Sequence, residues 1–515
     1  MAGTIAVHAA ELRGIDALPV TVEASFEKGA LPEIIIVGSA DLTVIEAAMR
    51  VRTSLRASGY DLPNGRLLVS LSPAEVRKTG ASYDLPIAIA LLALTGQIPA
   101  DGLDRHLFSG ELSMAGVRAA RGDASRHQLA KSLGLAFVGG PGSLPYLAGD
   151  AKSCRNISEL RGGAASLPSY EPEPMAEAPA SELDYADIVG HETAKHALVV
   201  AAVGGHGILM VGPPGAGKAA LARRLPTILP PLSREELERA VIVRSAAKAD
   251  TGEAPSTLRP FRAPHSSISL AGLVGGGRPV VPGELALADN GVLFLEDLQD
   301  FPTESLAAIV DPIMDGEVRI VRAEGVCRFP SQVQLIASAL PCPCGNFGSG
   351  SHGCTCSWQR IDRYRGTLGR PLRGLLDMEA SVQPRSPHPF PDGAHATSSA
   401  EMREQVLAAR EFRLWREQRY LDAAASFLEE DCRLSGIGDV SRAARVARSI
   451  ADLAEHEDIS HDDVIEALAF CSSADQKPSS SLARESFAAR QAAGALSGRG
   501  RSASRARDDM GRELG

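Results

Sequence analysis

The stretch VGPPGAGKAALARRL, Val211 to Leu225, holds the residues with the most direct chemistry. Gly212, Pro213, Pro214, Gly215, Ala216, Gly217 and Lys218 form a glycine-rich turn ending in lysine. HGILMV before it reads as a buried strand, and KAALARRL after it as a helix start. Strand, glycine-rich turn and helix are the context of a phosphate-binding loop. Successive backbone N–H groups at such a turn, with the helix N-terminus, cradle phosphate oxygens, and Lys218 adds charge for the β and γ phosphates. The next position normally offers Mg²⁺ a hydroxyl, and Ala219 has none. The loop therefore predicts ATP binding with weakened metal placement. The bland alternative is a turn that only packs strand against helix.

A second candidate is NGVLFLEDLQDF, from Asn290, where four apolar residues lead into Glu296 and Asp297. A buried strand that delivers acids at its C-terminal end is how nucleotide hydrolases hold Mg²⁺ and orient the attacking water. The usual order is Asp then Glu, and here it is reversed. Glu296 reaches one methylene further, and Asp297 stops one methylene short. A misplacement of about 1 Å costs on the order of a hundredfold in rate. The alternative is a polar strand end facing solvent.

A third candidate is PCPCGNFGSGSHGCTC, with Cys342, Cys344, Cys354 and Cys356 in two Cys-x-Cys pairs and His352 between them. Four thiolates suit a structural, tetrahedral Zn²⁺. Four reduced thiols capping a loop are an equal alternative, because the spacing inside each pair is tighter than usual. The scattered Cys154, Cys327, Cys432 and Cys471 read as ordinary buried thiols.

The elements that must position these residues fall into segments. Residues 1–160 alternate strand-like runs (LPEIIIVGS, GRLLVSLS) with helical ones, and the helix after Asp41 places Val44, Ile45, Ala48, Val51 and Leu55 on one face. Residues 161–183 are rich in Ala, Pro and Glu without apolar period and read as a flexible linker. A second α/β unit spans 184–390 and holds all three candidates. Residues 391–474 are helical in spacing, and 475–515, rich in Ser, Ala, Gly and Arg, read as a disordered tail. The fold class is α/β.

At 515 residues the chain is too long for one ordinary domain. A net charge of −10 argues against a broad basic surface coating nucleic acid, though not against DNA held in a narrow basic channel. The N-terminus lacks the pattern of a signal peptide. The longest apolar run, LPIAIALLAL from Leu85, falls short of the roughly 20 residues of a membrane span. The expectation is a cytoplasmic protein with no membrane partner.

Together these segments resemble the ComM/YifB-type, magnesium-chelatase-like AAA+ proteins. The likeness runs from about Leu12 to Ser472 and rests on VEASFEKGALPEIIIVG, LPNGRLLVSLSPAEVRKTGASYDLPIAIALLA, LFSGELSMAGVRAARG, DIVGHETAKHALVVAAVGGHGILMVGPPGAGK, LRPFRAPHSSISLAGLVGGGRPVVPGE, PCPCG and RVARSIADL. It implies a Lon-protease-C-terminal-like first domain, a P-loop AAA+ module and a helical lid. It implies ATP and Mg²⁺ as cofactors and a hexameric ring. For some members it implies ATP-driven DNA branch migration in natural transformation. Ser82 falls near the position of the protease serine, but Ser125 stands where its partner lysine would be, so no peptidase is expected.

Against that family pattern the chain departs at functional positions. Ala219 replaces the hydroxyl residue, and Glu296–Asp297 inverts the acids. Leu340 stands for the sensor asparagine, and Gly374–Leu375 for an Asp-Arg pair, with Arg370 and Arg373 nearby. His265–Ser267 lacks a second histidine, and Asp289 replaces one. A stabilising arginine supplied in trans is worth roughly 10³–10⁵ in related phosphoryl transfers. Two readings follow: a DNA-remodelling ring with weakened hydrolysis, or a non-hydrolysing regulatory or scaffold subunit, alone or in a mixed ring. A subunit loading metal into a macrocycle is a weaker third, since nothing reads as a porphyrin site. Ala271–Gly283, with Arg278, is either a pore loop or an inert surface loop.

Overall fold

The structure, a computed structural model, describes residues 4–29, 33–143, 150–170, 183–247, 256–323, 325–348, 353–383, 396–419 and 440–471. Compactness divides the chain into Met1–Ile188 with Ala219–Ser338, and Val189–Lys218 with Ala339–Gly515. These units cut across the expected segments: the stretch 184–390 contributes to both, because the chain leaves the first unit after Ile188 and returns at Ala219. Both units mix helices with parallel strands, in keeping with the expected α/β class.

The first unit is built on a seven-stranded sheet in the order Glu33–Val37, Gly65–Ser72, Asp16–Lys28, Ile5–Arg13, His106–Phe108, Ala136–Gly139, Ala151–Ser153. The long hairpin Ile5–Arg13/Asp16–Lys28 turns through two residues, and Gly14 takes the positive φ of +66° that such a turn requires. Along Gly65–Ser72 burial alternates, with Leu67, Val69 and Leu71 inward, as period-two patterning dictates. The apolar run from Leu85 forms the helix Asp84–Leu94, buried at every position from Asp84 to Ala93. A helix apolar all round has nowhere else to go. Its buried Asp84 is met by a fork from Arg50, Nε and Nη2 each donating at 2.8 Å.

Two expectations need correction here. The helix after Asp41 is interrupted at Glu46, giving Leu42–Ile45 and Ala47–Ala57. Val44, Ala47, Val51, Ser54 and Leu55 face the core, while Ile45 is 48% exposed, because Ala47 takes the next inward position. The ordered chain also runs past residue 160. Ala164 and Leu167 are buried in the first core, and the Tyr170 N–H donates to Ala151 O at 2.7 Å. The Pro/Glu-rich composition begins only after that point, and 171–182, like the tail, lie outside the described residues.

The first unit is completed by the helix Arg234–Ala247, whose Val241 and Ile242 share a core with Ala10, Leu107, Ala124 and Phe137. Parallel strands Phe261–Arg262, Val292–Leu295 and Gln334–Ala339 pair in that order. In the second unit, Ile208–Val211 pairs in parallel with Met378–Ser381. The helices Glu192–Gly204, Ser399–Arg419, Val440–Leu453 and His461–Cys471 pack together there. Arg416 and Asp452 form a buried pair at 3.1 Å between two of them. No helix among the described residues is long and apolar enough to cross a membrane.

Truncating a side chain of the fully buried helix should cost far more than truncating an exposed side chain of Ala47–Ala57. Ile89→Ala should destabilise by about 2–5 kcal/mol, whereas Met49→Ala, at a side chain 75% exposed, should stay within about 0.5 kcal/mol. Urea unfolding of the two variants, read by far-ultraviolet circular dichroism, measures the difference.

Candidate nucleotide and metal sites

The glycine-rich loop Gly212–Lys218 follows the strand Ile208–Val211, and a glycine brackets the strand at each end. A Cβ on Gly207 would lie 1.9 Å from Leu375 O, and one on Gly212 2.0 Å from Val382 O, so no side chain fits either place. The Gly212 N–H donates to Ala339 O at 3.2 Å. Gly215 and Gly217 turn the loop at φ +75° and +90°, in the left-handed region. Lys218 then opens the helix Lys218–Arg223, and its Nζ donates to Gly212 O at 2.7 Å and Pro213 O at 3.0 Å. The ammonium is thus laid on the loop itself, largely out of solvent. Ala219, the next residue of that helix, contributes only a methyl group.

Two neighbours of this loop were not singled out from sequence. Gly345, at φ +79°, lies so that a Cβ would come 3.2 Å from Pro214 Cδ and 3.7 Å from Leu340 Cδ1. The loop that carries Cys342 and Cys344 therefore borders the glycine-rich loop, and Leu340 lies against Gly345. His191 precedes the helix Glu192–Gly204 at φ +61°, and its Nε2 lies 3.8 Å from the Cβ position of Gly217. The left-handed conformation is uncommon outside glycine, and histidine is among the residues that adopt it more readily. No spacing rule points to it.

In the first unit, Val292–Leu295 is buried at all four residues and ends at an exposed Glu296. Asp297 turns the chain at φ +55° and heads the turn Leu298–Asp300, its N–H donating to Ser338 Oγ at 3.0 Å. Asp tolerates this conformation better than most residues. Strand and turn place both carboxylates at the strand's C-terminal end, as the sequence predicts. Asp289 is buried and accepts from Gln332 N and Asn290 Nδ2, both at 2.8 Å, while burial raises its pKa. It fastens the chain entering this strand. His265 is exposed, with Nδ1 2.8 Å from Ser267 Oγ. Ala271–Gly283 contains the short hairpin Gly275–Gly276/Val281–Pro282, with Arg278 exposed at its tip.

The cysteine cluster is compact. The Sγ atoms of Cys342, Cys344, Cys354 and Cys356 all lie within 4.8 Å of one another, and three pairs measure 3.4, 3.7 and 3.7 Å. Sulfurs on a tetrahedral ion with bonds of about 2.3 Å stand about 3.8 Å apart, so the set fits a four-sulfur metal site. Backbone N–H groups of Asn346 and Thr355, with the Cys342 thiol, hold Cys344 down to about 5. One of the four is therefore already disposed to be a thiolate. His352 and Cys432 lie outside the described residues; Cys154, Cys327 and Cys471 are buried, as expected.

A second polar constellation lies in the same unit. His206, just ahead of the loop's strand, has Nδ1 3.0 Å from Asp377 Oδ2 and Nε2 2.8 Å from Ser449 Oγ. Arg445 donates to Asp377 Oδ1 at 2.6 Å. The contacts copy those of a Ser-His-Asp hydrolase, but Ser449 is 5% exposed on the helix Val440–Leu453 and Asp377 is already neutralised by arginine. The arrangement ties helix to strand. Nearby, Leu209, Val211, Arg365, Arg373, Asp377 and Arg442 line a cavity. Arg370 stands exposed beside it, and the space around Gly374 is open within 4 Å of a Cβ. In the first unit, Ser82 Oγ accepts from Arg126 Nη2 at 3.0 Å. A guanidinium only donates, so Ser82 gains no base from it.

Comparison with known proteins gives the family. The family described as "Magnesium chelatase, subunit ChlI" matches residues 184–389, and "Subunit ChlI of Mg-chelatase" matches 22–136. The uncharacterised protein YifB of Salmonella typhimurium is 34% identical over 500 residues, covering 90% of this chain and 96% of its own. YifB of Escherichia coli is 33% identical over 495 residues with the same coverage. The competence protein ComM of Haemophilus influenzae is 33% identical over 498 residues, again covering 90% and 96%.

Asp377 links the histidine tie to pH. Burial alone would raise its pKa, but hydrogen bonds from His206 and Arg445, and their charges, bring it below the ordinary value. A depressed carboxylate stabilises the fold above its unfolded pKa of about 3.9 and loses that contribution as pH falls through the folded value. Asp377→Asn should therefore lower the melting temperature at neutral pH, with the gap closing below about pH 4. Thermal scans of both proteins across that range test it.

Proposed function

The chain belongs to the ComM/YifB family of magnesium-chelatase-like proteins, and on that footing we propose that it binds ATP, assembles as a ring and remodels DNA with slowed hydrolysis. The observation that carries the nucleotide part is the loop Gly212–Lys218, with its left-handed glycines and inlaid lysine. ATP phosphates would take the backbone N–H groups of this loop, and the Lys218 ammonium would exchange two carbonyls for phosphate oxygens. Glu296 and Asp297 are the carboxylates for Mg²⁺ and for the attacking water. Mg²⁺ would supply neutralisation of the charge on the phosphates.

Slowed turnover rests on chemistry at four positions. Ala219 has no oxygen for the metal, the acids are in reversed order, Leu340 has no polar group where the family carries an asparagine, and Gly374–Leu375 brings no arginine. Residues 1–160 serve as a Lon-C-terminal-like, non-proteolytic domain, and the helices of 391–474 as a lid. The ring is a homo-hexamer, or mixed with an active relative, and the setting is cytoplasmic. A role in branch migration during transformation or recombination extends the family's part to this chain. The same four positions favour a second reading, a nucleotide-binding regulatory subunit that does not hydrolyse.

Steady-state phosphate release with Mg²⁺ and branched DNA separates these two. The expected result is a DNA-stimulated rate that Lys218→Ala abolishes. A rate equal to that control would overturn the autonomous motor in favour of the regulatory subunit.

The cysteine cluster is assigned to structural Zn²⁺, held by Cys342, Cys344, Cys354 and Cys356 with no position open for catalysis. Elemental analysis of the purified protein should return about one zinc per chain. Cys344→Ser should lower both that content and the melting temperature, and a metal-free wild type with unchanged stability would reject the assignment.

A further inference from the structure

The cysteine cluster and the glycine-rich loop meet along one short stretch of the second unit. From Leu340 to Gly348 the chain forms neither helix nor strand. It nevertheless runs beside the loop at two points. Ala339 O accepts from the Gly212 N–H at 3.2 Å. Further on, a Cβ at Gly345 would come 3.2 Å from Pro214 Cδ and 3.3 Å from its Cγ. Backbone therefore meets the proline ring with no side chain between them. Cys342 and Cys344 lie between these two points, and the Gly345 N–H donates to Cys342 O at 2.9 Å, closing a turn over Pro343 and Cys344.

The other two sulfurs come from the far side of the same stretch. Cys356 is followed at once by Ser357, whose side chain caps the helix Trp358–Thr367 by accepting from the Arg360 N–H. That helix reaches back: the Tyr364 hydroxyl donates to Leu340 O at 3.1 Å, and Arg365 Nε to Pro341 O at 3.3 Å. These bonds hold the start of the stretch, whereas Gly345 depends on the cluster. Four thiols offer one another only weak S–H donors. Four metal–sulfur bonds would fix their spacing outright. On the loop side, Pro214 directly follows Gly212 and Pro213, the two residues whose carbonyls hold the Lys218 ammonium. Moving Pro214 moves those carbonyls, and Lys218 with them.

We infer that metal held by Cys342, Cys344, Cys354 and Cys356 sets how tightly the loop Gly212–Lys218 binds nucleotide, acting through the contact of Gly345 with Pro214. The inference rests on the proposed nucleotide and zinc sites and joins them. Coupling of this kind is reciprocal: whatever factor metal contributes to nucleotide affinity, nucleotide must contribute to metal affinity.

The test is a pair of equilibrium titrations on the full-length protein. A fluorescent ATP analogue is titrated into zinc-loaded and zinc-stripped protein, and zinc affinity is measured against a competing zinc-selective dye with and without ATP. Zinc should tighten nucleotide binding by about tenfold, and ATP should tighten zinc binding by the same factor. Pro214→Ala, which removes the ring that Gly345 meets, should bring both factors towards one while zinc content stays at the wild-type value. Equal nucleotide affinity in the loaded and stripped wild type would overturn the inference and leave both sites standing. A factor that persists undiminished in Pro214→Ala would also overturn it, since general loosening of the fold on metal loss does not depend on that ring. A wild type that takes up no nucleotide, or no zinc, would overturn the corresponding site and the inference with it.

Discussion

The glycine-rich loop Gly212–Lys218 depends on a backbone contact that excludes side chains. Gly207 and Gly212 stand at the two ends of Ile208–Val211, each pressed against a carbonyl of the segment running through Met378–Ser381. With any Cβ at either end, the two strands would separate, and the turn that follows would lose its starting point. The pairing, and not only the loop's own glycines, sets where the N–H groups converge. Lys218 completes the arrangement by bonding to carbonyls inside the turn. Its charge is therefore positioned by the same backbone that would receive phosphate.

The first unit shows what the same economy does to a hydroxyl. Ser109 and Ser143 each donate to Asp123 at 2.6 Å, and Arg126 spans Asp123, Ser82 and the Ala10 carbonyl. These are buried polar groups satisfying one another, which fixes a geometry, and among the described residues the side-chain partner of Ser82 is the Arg126 guanidinium, a donor and not a base. Helix Asp123–Ser132, which carries Arg126, also receives Val241 and Ile242 of Arg234–Ala247 into its core. The serine's surroundings thus act as mortar between two parts of one unit.

How much of this the sequence discloses follows from how local each cause is. The glycine turn ahead of Lys218 is legible because positive-φ positions select glycine within seven residues of chain. The acid-bearing strand is legible because four consecutive apolar residues and an exposed acid span one strand end. The cysteine spacing shows four possible ligands, but only folding reveals that their sulfurs converge. Ile45 is misplaced by periodicity because a one-residue break at Glu46 is invisible to a helical wheel. The linker's start is misjudged because small residues such as Ala164 read as flexible until a core is there to receive them. His206, Asp377 and Ser449 escape altogether, since the partners lie 171 and 243 residues apart in the chain. Ordinary His, Asp and Ser residues carry no spacing signal at such range.

The histidine tie has one more consequence, which is a matter of counting protons. Ser449 has a single hydroxyl hydrogen and two acceptors within reach, His206 Nε2 at 2.8 Å and Arg445 O at 3.3 Å. With a neutral ring whose Nδ1–H faces Asp377, the hydroxyl must point at the imidazole, and the helical carbonyl goes without it. The single proton of that hydroxyl is thus committed to a ring beside the strand that leads into Gly212, from a helix more than two hundred residues later in the chain.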